Sequence, residues 1–115
     1  MTIKFATQKE QDAANDGQKL AKYLSRKKAN CQPIDVIAVL DALAAAPSLS
    51  DLPPRPFRPH PLKAERKGQF AVWINKKERI TFIPDHEDDE NYRIDNYKTI
   101  TKIKITELYV NYHKK

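Results

Sequence analysis

Gln69-Phe70-Ala71-Val72-Trp73-Ile74-Asn75-Lys76-Lys77-Glu78-Arg79-Ile80-Thr81-Phe82-Ile83 reads as two strands joined by a turn. Phe70, Val72 and Ile74 alternate with Gln69, Ala71 and Trp73, the period of two that sends successive side chains to opposite faces of a strand. A second alternation sets Ile80 and Phe82 against Arg79, Thr81 and Ile83. Asn75-Lys76-Lys77-Glu78 is a polar break between them, so the stretch predicts a β-hairpin. No glycine stands in the break, which predicts a turn longer than the tightest two-residue types.

Working upstream, the stretch from Ser48 to Pro61, just after Pro47, carries prolines at 53, 54, 56, 59 and 61. Proline excludes regular helix and most sheet, so this segment is expected to be an extended strap leading across the domain. Before it, Pro33 opens a helix that ends before Pro47, with Val36, Val39, Leu40 and Leu43 on its buried face. An earlier helix is expected from about Gln8 to Ala29, with Leu20, Tyr23 and Leu24 on one face, Gly17 weakening its middle and Asn30 as its stop. Arg26-Lys27-Lys28 then falls in the last turn, where cations suit the helix dipole. Ile3 and Phe5, two apart, predict a short first strand. The two helices are expected to form an antiparallel hairpin.

Downstream, His86-Glu87-Asp88-Asp89-Glu90 is read as a solvated turn rather than a metal site. Tyr92 and Ile94 predict one strand, and Ile103 and Ile105 another. Leu108 to His113 alternates in the opposite phase to Ile103 and Ile105, which calls for a break or bulge near Thr106-Glu107.

The chain of 115 residues suits a single domain, 1–115, of the α+β class. Lys and Arg total 21 against 15 Asp and Glu, a net charge of +6. A compact basic domain attracts polyanions. Cys31 is the single cysteine, so no internal disulfide framework exists. Met1-Thr2-Ile3-Lys4-Phe5 has no apolar signal core, and Asp35 and Asp41 interrupt the apolar run from Ile34 to Ala46. The expectation is a cytoplasmic protein with no membrane partner. With only Gly17 and Gly68, the chain has no glycine-rich phosphate loop, and no nucleophile elbow occurs.

The residues left for chemistry are His, Lys, Arg and Tyr in the second half. Arg58-Pro59-His60-Pro61-Leu62-Lys63-Ala64-Glu65-Arg66-Lys67-Gly68 sets a titratable imidazole three residues from a lysine and just before a basic turn. Cleaving an RNA phosphodiester needs a base for the 2′-hydroxyl, cations for the crowded phosphate and an acid for the leaving 5′-oxygen. Histidine suits the proton transfers near neutral pH, and Arg or Lys suits the developing charge. His113 beside Tyr112 near the end supplies a second imidazole and a ring able to stack on a base. Such chemistry requires no metal and no cofactor.

Three motifs occur here in a recognisable order. The Arg58 to Phe70 string resembles the HigB-type signature, in which an HPLKG-like segment leads through a charged turn into an aromatic strand. Glu78-Arg79-Ile80-Thr81-Phe82 is similar to that family's W-R-I-T/C-F strand, and Asn111-Tyr112-His113 resembles its terminal D-Y-H. The chain thus resembles HigB-like toxins of the RelE/ParE toxin–antitoxin superfamily over roughly its second half. The resemblance implies two N-terminal helices packed on a twisted, mostly antiparallel sheet. It implies a ribosome-dependent mRNA endonuclease, acting on the 70S ribosome and its mRNA and neutralised by a HigA-like helix-turn-helix antitoxin.

Carried over by motif, His60 is the expected acid/base residue, Lys63 and Arg79 contact the scissile phosphate, and Tyr112 and His113 complete the site. Arg58, Arg66, Lys67, Lys76 and Asn111 are the expected RNA- and phosphate-binding residues. Ala64 stands where the family has glycine, Asn111 where it has an acid, and Glu78 where it has an aromatic residue. The stretch from about Glu87 to Thr106 is longer than the family pattern. Two other functions fit the same fold: a ParE-like poison of DNA gyrase, and a ribosome- or RNA-binding module without catalysis.

Overall fold

The computed structural model describes residues 1–86 and 93–111. Five strands, β1 (Thr2–Phe5), β2 (His60–Pro61), β3 (Phe70–Trp73), β4 (Glu78–Pro84) and β5 (Lys102–Asn111), form one sheet in the order β1-β5-β4-β3-β2. β1 runs parallel to β5 and every other pairing is antiparallel. With α1 (Gln8–Asn15), α2 (Gly17–Arg26), α3 (Pro33–Ala45) and the short α4 (Pro54–Phe57), the class is α+β.

Where one N-terminal helix was expected, there are two. Asp16 leaves helical geometry with φ −142 and ψ 113, and its carboxylate accepts the Gln18 and Lys19 amides at 2.9 and 3.4 Å. The break is thus an N-cap that starts α2, directly before Gly17. Helix α2 stops at Arg26, earlier than Asn30, because Lys28 turns left-handed with φ 56. Helix α3 starts on Pro33 as expected, with Asp35 accepting the Gln32 amide at 2.8 Å. Val36, Val39 and Leu43 are buried on it, and Leu40 is partly so.

The core lies between the helices and one face of the sheet. Leu20, Leu24, Val36 and Leu43 cluster with Phe70, Val72, Ile80, Phe82, Ile103 and Ile105. Phe70 and Val72, and Ile80 and Phe82, are the pairs that the hairpin alternation placed together on one face of each strand. Glu10 ties the helices to the sheet: its buried carboxylate accepts Thr7 Oγ1 at 3.0 Å, the Tyr23 hydroxyl at 3.1 Å and the Leu108 amide at 3.0 Å. Burial first, then the Glu10 charge, pushes the Tyr23 hydroxyl above its ordinary pKa.

The hairpin turn runs from Ile74 to Lys77, with the Ile74 amide donating to the Glu78 carbonyl at 2.9 Å. Asn75 Oδ1 accepts the Lys77 and Glu78 amides at 2.9 and 3.0 Å, which supplies the turn without glycine. The phase change along β5 is also present. Thr81 pairs with Glu107 and Phe82 with Ile105, so Thr106 is an extra residue, and a second register shift lies between Arg79 and Thr81. The two shifts let Ile105 and Leu108, of opposite parity, both enter the core.

The strap holds a 3₁₀ turn at Leu49–Asp51 and α4, then ends as edge strand β2, where Pro61 is tolerated. Two readings need correction. Ile94 lies in a turn and is 45% exposed, not in a strand; its expected partner Tyr92 lies outside the described residues. His86 is buried rather than solvated, because β4 carries it against the start of β5, where Nε2 accepts the Thr101 and Lys102 amides at 3.1 and 3.2 Å. Glu87 to Glu90 lie outside the described residues. Among the described residues, no helix is long and apolar enough to cross a membrane.

Candidate functional site

Strand register assembles the sheet face opposite the helices. His60 stands against Ala71, Ala71 against Thr81 and Thr81 against Glu107. One step along, Trp73 opposes Arg79 and Arg79 opposes Val110. Directly opposed residues share a face, and extending the pairing of β2 with β3 by two residues brings Arg58 to Trp73. The contacts agree: the guanidinium carbons of Arg58 and Arg79 lie 4.7 and 4.5 Å from the indole centroid. Trp73 therefore receives one cation from each neighbouring strand.

The two arginines are held differently. Arg79 is 6% exposed, and its Nη1 donates to the carbonyls of Asn75, Lys76 and Glu78 at 2.8, 3.1 and 3.2 Å. It clasps the hairpin turn and places a fixed positive charge beneath the face. Arg58 is exposed, at a left-handed φ of 44 that ends α4. Its carbonyl oxygen lies 2.8 Å from His60 Nδ1. A carbonyl can only accept, so Nδ1 carries the hydrogen and Nε2 is left as the proton-accepting nitrogen. His60 is thereby oriented by the residue that also covers Trp73.

Glu107 adds a carboxylate to this face. Arg66 Nη1 bridges it at 2.9 Å and Thr81 Oγ1 donates to it at 3.3 Å, so its charge is neutralised from within the face. Arg66, at the end of the 3₁₀ turn Ala64–Arg66, is thus drawn over the middle of the sheet.

The remaining expected residues lie elsewhere. Lys63 and Lys67 line a groove of about 700 Å³ between the β2–β3 turn and the segment containing Ile94 and Tyr97. Lys76 sits exposed in the hairpin turn, where its carbonyl helps to hold Arg79. Asn111 pairs with Glu78, on the helix-side face at the end of β5. Tyr112 and His113 lie outside the described residues. The structure brings together Arg58, His60, Arg66 and Arg79. It sets Lys63, Lys67 and Asn111 apart from them, while Lys76 touches Arg79 through its backbone carbonyl only.

Glu78 is the least expected neighbour. It is 1% exposed, and its carboxylate accepts the Asn30 amide at 2.9 Å and the Asn75 side-chain amide at 2.6 Å. Burial alone would raise its pKa, but the neighbouring Tyr109 hydroxyl, the hydrogen bonds from Asn75 and Asn30 and the nearby Cys31 thiol outweigh it and hold the carboxyl below its ordinary value. The same charge acts on its neighbours. Burial first, then Glu78, pushes both the Cys31 thiol and the Tyr109 hydroxyl up to about 12. Cys31 is therefore a protonated, buried thiol rather than a nucleophile.

Trp73 and Glu107 were not among the expected site residues. Counting the four-residue turn 75–78 back from Arg79 lands on Ile74, one residue past Trp73, so the pairing of Trp73 with Arg79 came from the register and not from the sequence. Glu107 depended on the bulge at Thr106, whose exact register no local pattern fixes. No protein-family model and no curated protein matches the chain.

Proposed function

We propose that this protein is a RelE/ParE-like toxin of the HigB type, cutting mRNA on the ribosome without a metal. The observation that carries the reading is the oriented His60 beside the Arg58–Trp73–Arg79 row, on the sheet face opposite α2 and α3. Two motifs of the resemblance supply this face, and Asn111 of the third lies at the same end of the sheet but on the helix side. The strap delivers His60, β4 delivers Arg79, and β5 pairs Val110 with Arg79 one residue before Asn111.

The chemistry divides between these groups. His60 Nε2 takes the proton of the 2′-hydroxyl while the 2′-oxygen forms its bond to phosphorus. Arg58 and the fixed charge of Arg79 stabilise the crowded phosphate. The bond to the 5′-oxygen breaks and that oxygen takes a proton, a step assigned to His113 by its motif alone. The products are a 2′,3′-cyclic phosphate and a 5′-hydroxyl. A HigA-like antitoxin is the assigned partner, and its acidic segment would mask this basic face.

The test uses the purified protein, defined transcripts and a translation extract with and without 70S ribosomes. The expected result is ribosome-dependent cutting that leaves cyclic phosphate and 5′-hydroxyl ends. Intact transcripts, together with inhibited supercoiling by purified gyrase, would replace this reading with a gyrase poison.

A further inference from the structure

We infer that Trp73 is a nucleobase-stacking residue: one unpaired base of a single-stranded RNA displaces Arg58 from the indole and stacks in its place. This rests on the RNA reading of the same face and names the part of the substrate that the face holds.

Trp73 is the only tryptophan of the chain, and it stands outside the hydrophobic core cluster, although its strand neighbour Val72 belongs to that cluster and Ile74 packs against it. A large indole on the face opposite the core contributes little to the core and leaves an aromatic surface there. Its two covers differ in how firmly they are held. Arg79 is fixed by three backbone carbonyls, whereas no ion pair among the described residues holds the Arg58 guanidinium. An exposed cation–π contact is weaker than a base–aromatic stack. The Arg58 side of the ring is thus the side that yields, and the Arg79 side stays as backing.

Displacement also puts Arg58 to use. Its backbone stays in place and keeps orienting His60 through the 2.8 Å contact, while its freed guanidinium reaches the phosphate attached to the stacked base. The Trp73 and His60 rows are two residues apart along the sheet, about 7 Å, so a base on Trp73 sets its neighbouring ribose near the imidazole. The ligand must be single-stranded, because bases in a duplex have both faces occupied. Purines, with the larger ring, should quench and bind more strongly than pyrimidines.

The lone tryptophan supplies the readout. A five-nucleotide single-stranded RNA carrying 2′-O-methyl groups, which cannot be cut, is titrated at low ionic strength while Trp73 fluorescence is followed. Saturable quenching is expected, and an abasic oligomer of equal charge should give none. Arg58→Ala should retain the quench at saturating RNA, since the ring is then already open. By polarisation of a labelled oligomer, Trp73→Leu should bind about tenfold more weakly and Trp73→Phe should recover most of the loss.

Equal quenching by the abasic oligomer or by an acidic peptide, no quenching at all, or wild-type binding by Trp73→Leu would each overturn the inference. The two readings fail separately. RNA that quenches yet is never cut in a translating extract removes the nuclease and leaves the stacking site; cutting without base-dependent quenching does the reverse.

Discussion

Replacing Glu78 should be among the more damaging single changes in the molecule. Glu78→Ala removes the acceptor for the Asn30 amide and the Asn75 side chain at a position 1% exposed. Each buried donor left without a partner costs about 1–3 kcal/mol, and the Tyr109 hydroxyl loses its neighbouring charge as well. The two stranded donors sum to about 2–6 kcal/mol, which at ~4 °C per kcal/mol for a domain of this size lowers Tm by about 8–24 °C. Glu78→Gln keeps the volume and one acceptor oxygen, so about half that loss is expected.

Titration gives this prediction a sign. The folded-state pKa of Glu78 lies below its ordinary value, so the native protein binds this proton less readily than the unfolded chain. Its stabilisation is complete above the unfolded carboxyl value of about 4.3 and is lost as pH falls through the lower folded value. Melting curves by circular dichroism from pH 7 to 3 should show the gap between wild type and Glu78→Gln closing with acid. An alanine variant within about 3 °C of wild type, or a gap that is constant across that range, would refute the argument.

Glu10→Ala strands the Tyr23 hydroxyl and the Leu108 amide in the core, and should cost about 2–5 kcal/mol in urea unfolding. Ala64 holds a left-handed φ of 57, a conformation disfavoured by about 1–2 kcal/mol for a residue with a Cβ. Ala64→Gly should therefore raise stability by about 0.5–1 kcal/mol after glycine's greater chain entropy is counted, measured as a shift in the denaturation midpoint.

The sequence disclosed the parts whose signals are local. The hairpin, the proline-started α3 and the phase change along β5 each followed from spacing or from one residue's chemistry. The split at Asp16 was legible only in part, since Gly17 marked the weak point while the cap that starts α2 is the preceding aspartate. His86 was misread because a charged run looks solvated until β5 closes on it and offers two amides. The site followed the same rule. Arg58, His60 and Arg79 converge because register carries them to one face, whereas Lys63 and Asn111 fall on the groove and the helix side by their positions beyond a turn and opposite Glu78. Glu78 itself was noted only as a departure from an aromatic pattern, and its role came from Asn30, Asn75, Cys31 and Tyr109, which are far apart in the chain.

The rate of mRNA cutting by His60→Ala in a translation extract tests the central claim most directly, because the half-exposed imidazole can be removed without opening the core. The account predicts a fall of about 10²–10⁴-fold, the usual worth of a general acid or base, with an unchanged melting temperature. Cutting at the wild-type rate by a folded His60→Ala protein would contradict it.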